Sequence, residues 1–122
     1  MTTALVIDDN RDMADTVGRM LSLLNVDAKI AYGPQAGMIM IKNIQPDIVF
    51  LDISIPGVNG FEVMSDLQRF PNMQNIPVVF VTVDGQPETA GKVRNTGALL
   101  IIIKPVTFES LENALRKAGL FR

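Results

Sequence analysis

The chain has 122 residues, 48% of them apolar, with a mean hydropathy of +0.25; the length suits one domain with its own core. It contains no cysteine and no histidine, which excludes disulfides, thiolate nucleophiles, imidazole catalysis, phosphohistidine on this chain, and cysteine or imidazole metal sites. Net charge is −2 with a pI near 4.9, so no basic stripe marks a direct nucleic-acid partner, and any metal must sit on oxygen ligands, as magnesium, calcium or manganese do.

Short apolar runs alternate with segments of helical period. Ala4–Ile7 reads as a buried strand ending at Asp8-Asp9. Met13, Val17, Met20, Leu21 and Leu24 then repeat at helical spacing, with Asp9 or Asn10 as the cap. Val26–Tyr32 is the second strand, closed by Gly33-Pro34, and Pro34 opens a helix apolar at Met38, Ile41 and Ile44. Gln45-Pro46 stops it. Ile48–Leu51 is the third strand, ending at Asp52. The turn-rich loop from Ser54 to Gly60 leads into a helix from about Phe61 to Phe70. Ile76–Val81 is the fourth strand, ending at Thr82, and Asp84-Gly85-Gln86-Pro87 turns into a helix over Pro87–Asn95 with a thin apolar stripe of Ala90 and Val93. Leu99–Ile103 is the fifth strand, ending at Lys104-Pro105; the last helix is apolar at Phe108, Leu111, Leu115 and Ala118, with Gly119 near its end. The six methionines after Met1 fall mostly at core-compatible spacing and read as packing.

Five strand–helix units imply a parallel sheet with helices on both faces. Ligands of such sheets bind beyond the carboxyl ends of the strands. Those ends carry Asp8 and Asp9, Asp52, Thr82 and Lys104. Strands one, three, four and five lie side by side, so these residues converge. Three nearby carboxylates repel one another and call for a cation. Magnesium suits them, since it takes one or two carboxylates and fills its other positions with water and phosphate oxygens. A carboxylate beside such an ion can attack a phosphoryl group and become an acyl phosphate. Asp52, alone on the central strand, is the expected nucleophile, and Asp8 and Asp9 are a ready pair for the metal. Lys104 and Thr82 are placed to bind phosphoryl oxygens. Taken singly, each motif has an ordinary explanation: a helix cap, a turn, a β-branched strand residue, a surface lysine. Together, in order and each at a strand end, they do not.

The combination resembles the receiver domain of two-component response regulators. The resemblance rests on Asp8-Asp9, on Asp52 followed by Ile-Ser-Ile-Pro-Gly-Val-Asn-Gly, on Thr82, and on Lys104-Pro105. Intervals of 43, 30 and 22 residues separate Asp9, Asp52, Thr82 and Lys104, and it covers essentially the whole chain, 1–122, as a single domain. It implies a doubly wound five-stranded α/β sheet of strand order 2-1-3-4-5. It implies Asp52 as phosphoacceptor, with magnesium (or manganese) on Asp8, Asp9, Asp52 and the backbone of Ser54 or Ile53. Thr82 and Lys104 would hold phosphoryl oxygens, and a cis Lys104–Pro105 bond would aim the lysine inward. The implied partners are a sensor histidine kinase or a histidine phosphotransfer protein. The implied output is altered binding at helix 4, strand 5 and helix 5, toward an effector or a second copy. On this reading the chain is a phosphorelay switch, not an enzyme acting on other molecules.

Four positions depart from the family pattern or tune it. Ile101 stands where the family carries the aromatic that turns inward as the threonine shifts, and an isoleucine has no ring and no hydroxyl to report that shift. Val83 replaces a small residue and is expected to narrow access to Asp52 or limit the Thr82 shift. Ser54 and Asp84 occupy positions that set acyl-phosphate lifetime in the family by admitting, orienting or repelling the attacking water. Strand five carries no charge before Lys104, and Leu99 and Leu100 stand where relatives are often polar, so an apolar recognition face is expected there, the alternative being cover by the flanking helices.

Three other readings fit less well. A degenerate receiver that binds partners without phosphorylation draws on Ile101 and Val83 but leaves five intact acceptor-site residues unexplained. A flavin binder of this fold needs a phosphate loop where Asp8-Asp9 stand. A haloacid-dehalogenase-type phosphatase needs an Asp where Ser54 stands, and a cap insertion. The Met-Thr-Thr start lacks the basic region of a secretory signal, and the longest apolar run, Ala98–Ile103, is too short for a membrane span, so no membrane association and a cytoplasmic location are expected. With no effector segment after Arg122, the expectation is a chain that acts alone or was cut from a longer protein.

Overall fold

The computed structural model describes residues 1–121, with Pro87 described by its backbone only. In chain order the elements are β1 (Thr3–Ile7), α1 (Arg11–Leu23), β2 (Asp27–Ala31), α2 (Pro34–Ile41), β3 (Ile48–Asp52), α3 (Gly60–Gln68), a 3₁₀ turn (Pro71–Met73), β4 (Val78–Thr82), α4 (Pro87–Asn95), β5 (Leu100–Ile103) and α5 (Phe108–Lys117). The five strands form one parallel sheet in the order β2-β1-β3-β4-β5.

Strands β1, β3, β4 and β5 read as nearly unbroken apolar runs because both faces of the sheet are covered, whereas edge strand β2 carries Asp27 and Lys29. Successive side chains go to opposite faces. Ala4, Val6, Ile48, Phe50, Val79, Val81 and Ile102 pack with α1 and α5. Leu5, Ile7, Val49, Leu51, Val78 and Phe80 pack with α2, α3 and Val93 of α4. Met64 and Met73 are buried, while Met13, Met20, Met38 and Met40 pack partly buried against the two cores.

Caps set the helix starts. Asn10, not Asp9, caps α1: its side chain accepts the Met13 N–H at 3.1 Å, which leaves Asp9 outside the cap. Helix α5 opens with a reciprocal pair, Thr107 Oγ1 accepting from Ser110 N and Ser110 Oγ accepting from Thr107 N. Thr107→Ala is expected to cost about 1 kcal/mol, read as a shift of the urea midpoint at constant slope.

Several boundaries differ from expectation. Strand β4 starts at Val78 rather than Ile76, since Pro77 has no N–H for the ladder, although its carbonyl accepts from Val49 N. Strand β2 is shorter by one residue at each end. Helix α3 stops at Gln68, and the chain tightens into the 3₁₀ turn at Pro71–Met73, which local i→i+3 bonding produces and apolar periodicity does not signal. The expected apolar face on strand five is corrected in detail. Leu99 and Leu100 are half-buried against the α1–α5 core, and the exposed apolar side chains nearby are Ile103 (44%) and Phe108 (43%).

Candidate functional site

Parallel strands with aligned registers bring their carboxyl ends to one edge. Asp8 follows β1, Asp52 ends β3, Thr82 ends β4 and Lys104 follows β5. Asp8, Asp52 and Thr82 are buried, whereas Asp9 is exposed at the mouth. One carboxylate oxygen from each of Asp8, Asp9 and Asp52 lies within 4.8 Å of the other two.

Two donors hold Asp52. The Ser54 N–H reaches Oδ1 at 2.7 Å, and Lys104 Nζ reaches Oδ2 at 2.9 Å. The same ammonium lies 3.8 Å from Asp8 Oδ2, so one cation sits between two buried carboxylates. The Lys104–Pro105 peptide is cis. Asp8 Oδ1 accepts the Asn10 N–H at 3.0 Å. Among the described residues no buried side-chain nitrogen or oxygen lacks a partner.

The Asp8 carboxyl is pushed from its ordinary 3.8 up to about 6, chiefly by burial and also by neighbouring Asp52, with the Asn10 N–H and Lys104 opposing the rise. The sign of the consequence follows from linkage. Below pH 3.8 Asp8 is protonated in both folded and unfolded chains. Between 3.8 and 6 the folded chain holds a proton that the unfolded chain has lost, so stability falls as pH rises through that window. Urea titrations of the metal-free protein at pH 4, 5, 6 and 7 are expected to show that fall, and Asp8→Asn is expected to flatten it.

The donor set suits a hard divalent cation: oxygen ligands only, with more negative charge than one lysine balances.

A second group of contacts surrounds Thr82. Its Oγ1 lies 3.0 Å from Ser54 Oγ and accepts the Asp84 N–H at 3.0 Å. Ser54 Oγ accepts the Val83 N–H at 3.1 Å. The Asp84 carboxylate is occupied: it accepts Thr89 Oγ1–H at 2.5 Å and the Gln86 N–H at 2.9 Å. These bonds, Thr89 first, hold its carboxyl below the ordinary value. Asp84 is thus tied into the start of α4. The Val83 side chain is 68% exposed at the rim of a cleft that Ser54, Phe61, Thr82 and Lys92 also line. Ile101 is half-buried on the face of the sheet covered by α2, α3 and α4.

Tyr32, which follows β2, lies at the same edge. Its hydroxyl donates to Asp15 at 2.6 Å, and the Arg11 guanidinium stands 4.4 Å above its ring. The Asp15 carboxylate beside it pushes the phenol up. Arg11 and Asp15 are one turn apart on α1, which was the available signal.

Residues 4–116 match the family model of the response regulator receiver domain. Among curated relatives, the DNA-binding dual master transcriptional regulator RpaA of Synechocystis is 31% identical over 111 residues, covering 91% of this chain and 46% of that protein. Protein RcaC of Microchaete diplosiphon is 28% identical over 111 residues, covering 91% of this chain and 17% of that protein. The chain therefore spans less than half the length of these relatives. Among solved structures, the signal receiver domain of a DNA-binding response regulator from Colwellia psychrerythraea is 26% identical, with a TM-score of 0.87 and 98% of both chains covered. The chemotaxis response regulator CheY4 of Vibrio cholerae shares the fold at a TM-score of 0.87 and 20% identity, over 97% of this chain and 98% of that one. With its strand order, its acidic cluster and a match over most of its length, the chain belongs to the response regulator receiver domain family.

Proposed function

We propose that the chain is a phosphorylation-dependent switch in which Asp52 accepts a phosphoryl group from the phosphohistidine of a sensor kinase or phosphotransfer protein. The observation that carries this is the buried Asp52 carboxylate, held by the Ser54 N–H and Lys104 and flanked by Asp8 and Asp9. A carboxylate oxygen of Asp52 attacks phosphorus, a P–O bond forms, and the P–N bond to the partner's imidazole breaks, its electron pair returning to the ring. Ser54 N–H and Lys104 orient the attacking carboxylate. Lys104 and Thr82 then pair with the phosphoryl oxygens. Magnesium, or manganese, would be held by Asp8, Asp9, Asp52 and the backbone of Ser54 or Ile53, and when bound it neutralises charge on the transferring group. Val83, at the rim, slows small donors. The product alters binding at α4, β5 and α5, for an effector or a second copy, and the setting is cytoplasmic.

Intact-protein mass after incubation with acetyl phosphate and magnesium tests this. One added phosphoryl group is expected, lost in Asp52→Asn and with chelator. If no adduct forms, beryllofluoride titrated with magnesium and followed by NMR decides. Shifts around Asp52, Thr82 and Lys104 leave a receiver selective for its donor; their absence replaces the proposal with a phosphorylation-independent binding module.

A further inference from the structure

Arg11 is a cation beside an acidic pocket, yet it does not pair with the carboxylates there. It opens α1 two residues after Asp9, a length of chain that spans at most about 7 Å and that an arginine side chain can bridge. Three carboxylates against Lys104 leave the pocket mouth negative, so an unrestrained guanidinium is drawn to Asp9, the exposed one of the three. Among the described residues, however, Arg11 forms no ion pair. Its guanidinium stands 4.4 Å above the ring of Tyr32 instead.

The ring is itself fixed. The Tyr32 hydroxyl donates to Asp15 at 2.6 Å, a charge-assisted bond. Asp15 lies one turn along α1 from Arg11, so the tyrosine bridges the two side chains, offering its hydroxyl to the anion and its face to the cation. Tyr32 also lines one cleft with Asp9, between the loops that follow β2 and β3. Asp15 thus holds the phenol, the phenol holds Arg11, and the Asp9 oxygens are left for another cation.

We infer that Tyr32 is a positioning residue for the metal site: by holding Arg11 on its ring, it keeps the guanidinium from pairing with Asp9 and competing with the divalent cation. Neither Tyr32 nor Arg11 touches the metal or the phosphoryl group. The inference rests on the proposed phosphoacceptor site, with magnesium on Asp8, Asp9 and Asp52, and goes beyond it by naming what keeps that site open.

Magnesium titrations at low ionic strength, followed by NMR at the amides of Asp8, Asp9 and Asp52, test it in the native chain, in Tyr32→Ala, in Arg11→Ala and in the chain carrying both substitutions. Arg11 is exposed and Tyr32 is 39% exposed, so all four chains are expected to fold alike. Tyr32→Ala is expected to bind magnesium roughly two- to fivefold more weakly, the size of one exposed cation–π contact. Arg11→Ala is expected to bind at least as tightly as the native chain. The double variant is expected to match Arg11→Ala, because without the guanidinium the tyrosine has nothing to restrain. Unchanged affinity in Tyr32→Ala overturns the inference and leaves the metal site standing. So does an equal loss with and without Arg11, which would show Tyr32 acting through the shape of its loop. If millimolar magnesium shifts none of the three amides in the native chain, the metal reading falls and the inference with it.

Discussion

Asp8→Asn is expected to make the metal-free protein more stable while removing its response to magnesium. The gain comes from the cost of charge. A buried carboxyl raised from 3.8 to about 6 is ionised at pH 7.5 at an expense to the fold on the order of 3 kcal/mol. The substitution keeps the geometry: the amide oxygen can take the Asn10 N–H that Asp8 Oδ1 now accepts, and its NH₂ can face the Asp52 carboxylate. The weaker attraction to Lys104 at 3.8 Å is lost, so a net gain of about 1–3 kcal/mol is expected. Metal affinity moves the other way. Residues standing behind metal ligands are worth about 10–100-fold in affinity, so loss of the Asp8 carboxylate, proposed to hold the ion directly or through water, is expected to cost on the order of 100-fold. Urea unfolding at pH 7.5, with and without millimolar magnesium, separates the two effects. A variant less stable than the native chain without metal, or one still stabilised by magnesium, would contradict the expectation. The expected result would be stability given up for a proposed binding site, a pocket that keeps three carboxylates where the empty fold is expected to prefer two.

The second large effect is expected at a residue with no chemistry of its own. Gly60 is the first residue of α3, and a Cβ there would fall 2.5 Å from the Ile53 Cβ and 2.9 Å from the Ile53 Cα. The second of these is backbone, so no rotamer change relieves it. Ile53 lies between Asp52 and Ser54, and its N–H is bound to the Val81 carbonyl in the sheet. Gly60→Ala must therefore push α3 away or drag the start of the loop, and with it the Ser54 N–H that holds Asp52 at 2.7 Å. Overpacking of this kind costs about 1–3 kcal/mol and more when backbone must move. A displacement near 1 Å at a reacting group is worth up to roughly 100-fold in rate. The folded variant is expected to take up phosphoryl from acetyl phosphate 10–100-fold more slowly, on the order set by that displacement. A labelling rate equal to the native chain's at native stability would show that the helix accommodates the methyl group.

How much of this was legible in the sequence follows from what each feature depends on. Four of the strands were legible because apolar runs, each ended by a polar residue, have few other ways to be buried; the second, with Asp27 and Lys29, was legible from its place between two helical segments. The break itself falls at the carboxyl end of the strand, so Asp8, Asp52, Thr82 and Lys104 declared themselves as members of one pocket. The roles proposed for them in phosphoryl transfer were suggested by their convergence and sharpened by resemblance to a family, because a cap, a turn and a surface lysine look the same one at a time. The thin stripe of α4 was also visible in advance, and Val93 is indeed its sole buried side chain among those described. The edges of β2 and β4, the early end of α3 and the following 3₁₀ turn were not, since a single missing N–H or an i→i+3 bond shifts a boundary without changing the apolar pattern.

Residue types and their order along the chain thus determined the parallel sheet, the polar edge and the chemistry this edge can support, because the apolar runs and the polar residues that end them are set by chain order alone. The tertiary structure alone decided the remainder. Whether Ser54 meets Thr82, whether Tyr32 lies between Arg11 and Asp15, and whether Leu99 and Leu100 are covered all depend on where separate loops and helices meet. A hydrogen bond of 3 Å is set by the placement of two backbones far apart in sequence, and no local pattern encodes that distance.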